Sequence, residues 1–370
     1  MTANTDRQHL VTALLAWHRE HRRDLPWRAP WCSRPDPYRV LVSEVMLQQT
    51  QVATVIPYFQ RFIEAFPSIE ALAAADPDRV MKLWQGLGYY SRARRLQACA
   101  QAIAAQHGGR VPSTFEALRA LPGLGDYTAG AIASIAFGLP VPAIDGNVSR
   151  VLSRIDDIDL PVDRPEGKRA VREAATGMLA VLSKSDVGGA WGVDVGGGMV
   201  NESLMELGAT ICTPREPKCL HCPVSDHCLG LARGTVAQRP ITTPKRDPRA
   251  VEHHVVAMER KGKFLFRQRP SAGLWAEMWE LPTLERESVK AATLVDWAAS
   301  SFGLVLSQPK KSQAFEHRTT HRLITFTLWR AEVSSGRLKA GSGLWRKPSD
   351  VDDLPLANPQ VRVVGLIDDS

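Results

Sequence analysis

Four of the six cysteines crowd into one stretch: Cys212, Cys219, Cys222 and Cys228, with six, two and five residues between them. No other feature constrains the fold as strongly, because thiols held so close are either oxidised in pairs or committed to a metal. The N-terminus argues for the metal. Asp6 and Arg7 precede a short mixed segment without a small-residue cleavage site, so no signal peptide is expected. A soluble cytoplasmic protein follows, and in a reducing compartment such a cluster favours metal over disulfides. Cys219-x-x-Cys222 alone suits zinc as well as iron. Four thiolates suit an iron–sulfur cluster. His221 and His227 are expected to be solvated or packed, and Cys32 and Cys99 to be ordinary buried thiols.

The stretch before this loop is punctuated like a helical domain. Asp76 with Pro77 opens one helix, a capping residue and then a proline in the first turn, and Gly86 ends it. Ser91 opens another that runs to Gly108-Gly109. Ser113 is expected to cap a short helix stopping at Leu121-Pro122-Gly123, and Asp126 to cap an apolar helix ending at Gly138. Gly188-Gly189 and Gly196-Gly197-Gly198 read as the borders of a flexible loop. Strand-like alternation is nearly absent, so residues 1–233 are expected to be all-α.

Composition changes after Cys228. Pro240, Pro244 and Pro248, with Arg239, Lys245, Arg246 and Arg249, make residues 234–249 a proline-stiffened basic linker. Beyond it, Val255–Met258 and Phe264–Phe266 flank Lys261-Gly262-Lys263 as a hairpin, and Leu323–Val333 alternates as a strand. Residues 287–303 read as a helix, so residues 250–370 form an α+β domain. The fold class is therefore multi-domain, an all-α core with a C-terminal α+β domain.

The formal net charge of +7 suggests an acidic partner, but residues 1–233 hold 25 Lys and Arg against 24 Asp and Glu. Any grip on nucleic acid must come from local features rather than bulk charge. No run approaches the ~18 apolar residues of a membrane span, so no membrane partner is expected.

Three segments carry chemistry. In Leu121-Pro-Gly-Leu-Gly-Asp-Tyr-Thr-Ala-Gly130, Gly123 and Gly125 allow a tight turn with outward-facing N–H groups, a phosphate-binding arrangement at a helix N-terminus. The same residues also suit a plain helix–helix turn. Asp145 precedes the helix Val148–Ile155 and is an ordinary N-cap; that position also keeps a carboxylate ionised through the helix dipole and amide hydrogen bonds, ready to stabilise an oxocarbenium-like cation. Glu44 lies in Val40-Leu-Val-Ser-Glu-Val-Met-Leu-Gln-Gln-Thr-Gln-Val52. Exposed on a helix it is unremarkable; partly buried, its pKa rises towards ~6–7 and it becomes a general acid.

The stretch Ser43–Val52, with Leu25-Pro-Trp-Arg28, Asp36-Pro-Tyr38, Gly86-Leu-Gly-Tyr-Tyr-Ser-Arg92, the glycine hairpin, Asp145-Gly-Asn147, Asn201-Glu202 and the cysteine loop, resembles the MutY family of adenine DNA glycosylases in the endonuclease III superfamily. The match spans residues 25–228 and implies a helix-hairpin-helix core carrying one four-iron four-sulfur cluster. It implies that Glu44 protonates adenine and Asp145 stabilises the sugar cation, with Tyr127 and Asn147 in support. Trp27, Arg28, Leu47 and Glu202 would surround the flipped base, Gly123 and Gly125 would meet the backbone, and Gln49 and Tyr89 would wedge into the stack. For Tyr89 the alternative is an ordinary core aromatic. Bifunctional relatives carry a Schiff-base lysine where this chain has Tyr127; a phenol forms no imine, so a monofunctional enzyme is implied.

Residues 250–370 resemble the Nudix-like module of the same family through Gly273-Leu-Trp275, Trp279-Glu-Leu-Pro282 and Leu354–Val361. Arg286-Glu287 is not followed by a Glu-Glu metal site, so nucleotide hydrolysis is not expected. The family's Phe-Ser-His tip aligns with Thr319-Thr320-His321, where the phenylalanine is lost and threonine replaces serine. Thr320 and His321 are the expected readers of 8-oxoguanine, unless they form only a hairpin tip. The implied partner is duplex DNA with adenine opposite 8-oxoguanine or guanine, bound by a monomer. The rival readings are an endonuclease III-like pyrimidine glycosylase and a non-catalytic iron–sulfur DNA-binding protein.

Overall fold

The computed structural model describes residues 3–31, 33–182, 196–244 and 247–368. Cys32, Gly188-Gly189, Lys245 and Arg246 lie outside them. The chain divides into two compact units: Met1–Ala74 with Arg95–Pro244, and Ala75–Arg94 with Lys245–Ser370.

The first unit is helical among its described residues. Its helices are α1 (Ala3–His21), α2 (Pro37–Leu47), α3 (Val52–Ala65), α4 (Ile69–Ala73), most of α6 (Ser91–His107), α7 (Phe115–Ala120), α8 (Asp126–Ile135), α9 (Gly146–Ile155), α10 (Pro165–Ala180), α11 (Gly197–Thr210) and α12 (Leu229–Ala232); α5 (Pro77–Trp84) belongs to the second unit. Local chemistry sets the starts. Asp36 accepts from the Arg39 N–H with Pro37 in the first turn, and Asp76 does the same for Asp78 and Arg79. Two expected caps are wrong by one residue. Thr114, not Ser113, caps α7. Gly125, not Asp126, is the N-cap of α8; Asp126 is its first helical residue and its carboxylate pairs instead with Arg119 at 2.6 Å and Arg172 at 3.3 Å.

Leu10, Val11, Leu14 and Leu15 of α1 pack with Val148, Val151 and Leu152 of α9, Val171 and Met178 of α10, and Val200, Leu204 and Leu207 of α11. Cys212 and Cys222 rest against this core, so the cysteine loop is anchored to the helices that carry Asp145 and Glu202. The loop expected between Gly188-Gly189 and Gly196–Gly198 lies outside the described residues. Gly196 caps α11 and the other two begin it, and a Cβ at Gly198 would fall 2.5 Å from the Ser134 carbonyl oxygen. These glycines are needed for close packing on the end of α8 and the turn after it. Residues 234–244 are also fastened to the helices: Val162 N–H donates to Ile241 O, and Arg154 Nε donates to the carbonyls of Val236 and Arg239.

The second unit holds a mixed sheet of β1 (Arg249–Arg260), β2 (Lys263–Gln268), β3 (Trp279–Glu280), β4 (Thr283–Glu285), β5 (Leu304–Leu306), β6 (Lys310–Arg318), β7 (Arg322–Gly336) and β8 (Leu344–Arg346). The path β3-β2-β1-β7-β5 is antiparallel except for the long parallel pair β1–β7, with β4 beside β1, β6 beside β7 and β8 beside β2. Val255 and Ala257 face a core with Val363 and Ile367 of α14 (Asn358–Asp368), while Val256 and Met258 face Leu294, Ala298 and Phe302 of α13 (Ala291–Phe302). Both faces are covered, which explains the continuous apolar run in β1. The expected helix 287–303 begins only at Ala291, and Gly303 closes it with φ +71°. No helix among the described residues is long and apolar enough to cross a membrane.

Candidate active site

The first unit contains a cleft of about 920 Å³ whose walls include Trp27, Arg28, Glu44, Leu47, Gln49, Gly123, Gly125, Tyr127, Asp145, Asn147 and Glu202. All the residues expected around the base, apart from those in the second unit, therefore share one cleft. Glu44 lies on α2, eight of whose eleven residues are buried, and is itself only 5 % exposed; the surface alternative does not hold. Tyr127, in the first turn of α8, donates its hydroxyl to Glu44 Oε2 at 2.6 Å. Burial pushes Glu44 up to about 7, against the Tyr127 hydrogen bond and with the Asp145 and Glu202 charges adding to the rise. Burial and the Glu44 charge hold the Tyr127 phenol well above its ordinary value.

Asp145 caps α9. Its Oδ1 accepts from Val148 N–H at 2.7 Å and its Oδ2 from Asn147 Nδ2 at 2.9 Å. Its pKa nevertheless moves opposite to the expectation. Burial raises it, and the bonds from Val148 and Asn147 offset that only in part. Capping favours the charged form here without outweighing desolvation.

Arg28 donates to Glu202 at 3.1 Å and Glu206 at 2.8 Å, and Arg23 donates to Glu206 at 2.5 Å. Burial works against the Glu206 charge, yet the two arginines hold its pKa below the usual carboxylate value. Burial raises Glu202 despite Arg28. Trp27 is buried edge-on against Phe59. Gln49, just past the end of α2, is exposed with φ +57°. Gly123 has φ +78°, and a Cβ there would strike Arg95 Cβ at 2.6 Å, so only glycine suits the turn between α7 and α8.

The cysteine side of the unit lies directly behind this wall. Cys212, Cys219, Cys222 and Cys228 all border one small apolar cavity with Val151, Ile155 and Val224, and none is in a disulfide. Arg154 Nη1 donates to Cys212 Sγ at 3.4 Å. Among the described residues no three His, Cys, Asp or Glu side chains converge on one ion-sized point. His227 is not part of that cavity's lining; it pairs with Asp6 at 2.7 Å. Cys99 is buried as expected.

In the second unit the tip between β6 and β7 is residues 319–321, where the sequence suggested it, and Thr320 and His321 are exposed. Tyr89 is no core aromatic: it is 46 % exposed.

Residues 42–174 match the profile of the HhH-GPD superfamily of base excision DNA repair proteins, and residues 253–365 that of the NUDIX domain. The adenine DNA glycosylase of Mycolicibacterium smegmatis is 42 % identical over 61 % of this chain and 72 % of its own. The chain belongs to the adenine DNA glycosylase family. The mouse member is 38 % identical over 74 % of this chain and 60 % of its own, so this chain spans about three-fifths of the mouse protein's length. Among solved structures, a thermostable thymine-DNA glycosylase is 28 % identical with a TM-score of 0.53, covering 63 % of this chain and all of that one.

Several residues that build this adenine-glycosylase-family cleft escaped the sequence. Glu206 and Arg23 complete the Arg28 cluster; Glu206 stands one helical turn after Glu202, a spacing that marks a shared face. Arg150 donates to Asn147 Oδ1 at 2.8 Å and to the carbonyls of Gly208 and Cys212. Gln48 braces α2 on Thr128 at 3.0 Å. Nothing in the sequence distinguishes these two from surface polar residues.

Proposed function

We infer that this chain is a monofunctional DNA glycosylase that flips adenine, mispaired with 8-oxoguanine or guanine, out of duplex DNA and hydrolyses its N-glycosidic bond. The observation that carries the reading is the buried Glu44, pushed up to about 7 and hydrogen-bonded by Tyr127 in a cleft that also holds Asp145. Tyr127 donates to Oε2, so the acid proton of neutral Glu44 belongs on Oε1. That proton passes to a ring nitrogen of adenine as the C1′–N bond breaks, and the bonding pair leaves with the base. The ionised carboxylate of Asp145 stabilises the sugar cation. Glu44, now a carboxylate, takes a proton from the water that adds to the sugar, which regenerates the acid and leaves an abasic site. Trp27, Arg28, Leu47 and Glu202 line the base pocket, Gly123 and Gly125 contact the DNA backbone, and Gln49 and Tyr89 fill the gap in the stack. Thr320 and His321 read the opposite base.

Cys212, Cys219, Cys222 and Cys228 would hold a four-iron four-sulfur cluster. Four thiols outside any disulfide, bordering one apolar cavity, suit such a cluster. When bound, the cluster supplies a covalent tie across the loop, and no chemical step passes through it. Residues 1–233, 234–249 and 250–370 are our working division into glycosylase domain, linker and Nudix-like domain.

The test is single-turnover incubation with duplexes carrying adenine opposite 8-oxoguanine or guanine. Adenine release leaving an alkali-labile abasic site, by a protein with ~4 irons per chain, is expected. Release of a pyrimidine instead, or efficient borohydride trapping of a covalent adduct, contradicts it.

A further inference from the structure

Asp145 is reached through Leu139-Pro-Val-Pro-Ala-Ile144, part of the connection from the end of α8 to the start of α9. Proline has no N–H, so Pro140 and Pro142 remove two backbone donors from this stretch. Val141 N–H closes locally on Leu139 O at 2.8 Å. Val141 O and Ala143 N–H are satisfied instead by a side chain far along the sequence. Asn201 of α11, only 1 % exposed, accepts from Ala143 N–H through Oδ1 at 3.2 Å and donates from Nδ2 to Val141 O at 2.9 Å. Its amide thus grips the chain on both sides of Pro142, much as a paired strand would. The other Nδ2 proton goes to Ser134 Oγ of α8 at 2.8 Å. A flipped amide would set its NH₂ against Ala143 N–H, so only this orientation serves all three partners. Two glycines close the clamp. A Cβ at Gly130 of α8 would fall 2.5 Å from Pro142 O, and one at Gly208 of α11 would fall 2.7 Å from Asn147 Cβ. Gly208 follows Asn201 by about two helical turns, so both meet the segment 141–147 from one face of α11.

We propose that Asn201 is a positioning residue for excision, which sets the Asp145 carboxylate relative to the Glu44–Tyr127 pair. The proposal rests on the adenine-excision reading above. Under that reading Asp145 meets a cation that exists only in the transition state, and such stabilisation depends on charge already aimed at its target. Val148 and Asn147 hold Asp145 to the start of α9. The Asn201 clamp holds that start to α8, which carries Tyr127, where the prolines supply no donors of their own. Asn201 does not line the cleft, so it acts on the chemistry through Asp145 and not through contact with the base. A misplacement of about 1 Å at a catalytic group is enough to cost about 10²-fold in rate.

The experiment uses the full-length holoprotein and a duplex carrying adenine opposite 8-oxoguanine, and measures single-turnover rate, dissociation constant and thermal midpoint. Asn201→Ala leaves room for water at Val141 O and Ala143 N–H. It should lower the rate about 10–100-fold while the dissociation constant stays near wild type. In an Asp145→Asn background, where the counter-charge is already gone, the same change should cost no more than about twofold further, as for residues acting as one unit. Asn201→Asp adds a readout that a purely structural role would not move. Burial raises the pKa of the new carboxyl; protonated, it donates to Val141 O and accepts from Ala143 N–H as the amide does. Its rate relative to wild type at the same pH should therefore recover as pH falls from about 8 to about 5. Equal fractional losses with and without Asp145, a loss carried by the dissociation constant, or an unchanged rate in folded Asn201→Ala overturns the proposal. If Asn201→Ala does not fold, Asn201→Asp decides, and a ratio to wild type that stays flat with pH overturns it. A wild type that releases no adenine overturns the underlying reading, whereas an active wild type with equal fractional losses overturns only the positioning.

Discussion

Glu44 and Glu206 border the same cleft, both on helices and both buried, yet their acidities move in opposite directions. The difference is the placement of cations. Glu206 receives Arg23 and Arg28 directly, and their three charge-assisted hydrogen bonds outweigh its desolvation. Glu44 receives only a neutral phenol, with two further carboxylates adding to its burden. The cleft thus lowers the pKa of one carboxylate, which anchors an arginine, and raises that of another, the acid of the proposed mechanism. Separated acidities of this kind are how a site assigns an acid and a base among chemically identical groups.

The largest test of that contrast removes the acid and the counter-charge. Glu44→Gln should lower single-turnover excision by about 10²–10⁴-fold, because the amide keeps the volume without an acidic proton. Asp145→Asn should lower it by about 10²–10³-fold by removing the negative charge facing the sugar cation. In both, affinity for the mispaired duplex should stay near wild type, measured by gel shift; retained cleavage would mean the roles are misassigned.

Next, Arg28→Met attacks the charged side. Glu206, fully buried, would keep Arg23 but lose its second partner, so destabilisation of about 3 kcal/mol is expected, the low end for a broken buried pair. Thermal or urea unfolding checks it, and an unchanged midpoint would show that Arg23 alone suffices.

A smaller effect sharpens the comparison from the other side. Glu44 has a folded pKa raised from 4.5 to about 7, so the folded state binds this proton more tightly than the unfolded state. Stability associated with the group is therefore present below about pH 4.5 and is lost as pH rises through about 7. Glu44→Gln should unfold about 2–3 kcal/mol later than wild type at pH 8 and show no gain at pH 4. A gain that is equal at both pH values would place its origin outside this titration.

Much of this site was legible in the chain. The motifs around Glu44, Asp145, Tyr127 and Arg28 named residues that share one cleft, and the alternation after residue 250 announced strands. What failed had a physical reason. The close packing that Gly196–Gly198 allow depends on where α8 lies, which their composition does not contain. Asp126 and Ser113 are good caps displaced by neighbours that suit the backbone equally well. The acidity of Asp145 depends on the balance of burial against two hydrogen bonds, which no local pattern contains. Arg150 and Gln48 act through tertiary partners far away in sequence.

The central claim is that a neutral Glu44 drives excision, and the pH dependence of the single-turnover rate tests it most directly. Glu44 must be protonated, so the rate should fall as pH rises through about 7. Asp145 must be ionised, so the rate should also fall on the acid side, along a limb that burial shifts upward from the ordinary aspartate value. The two limbs belong to an interacting pair, and Arg28→Met should move the alkaline limb upward, because Arg28 lowers the Glu44 pKa. A rate that stays level from pH 6 to about pH 9, in protein that remains folded and bound to DNA, would contradict the account.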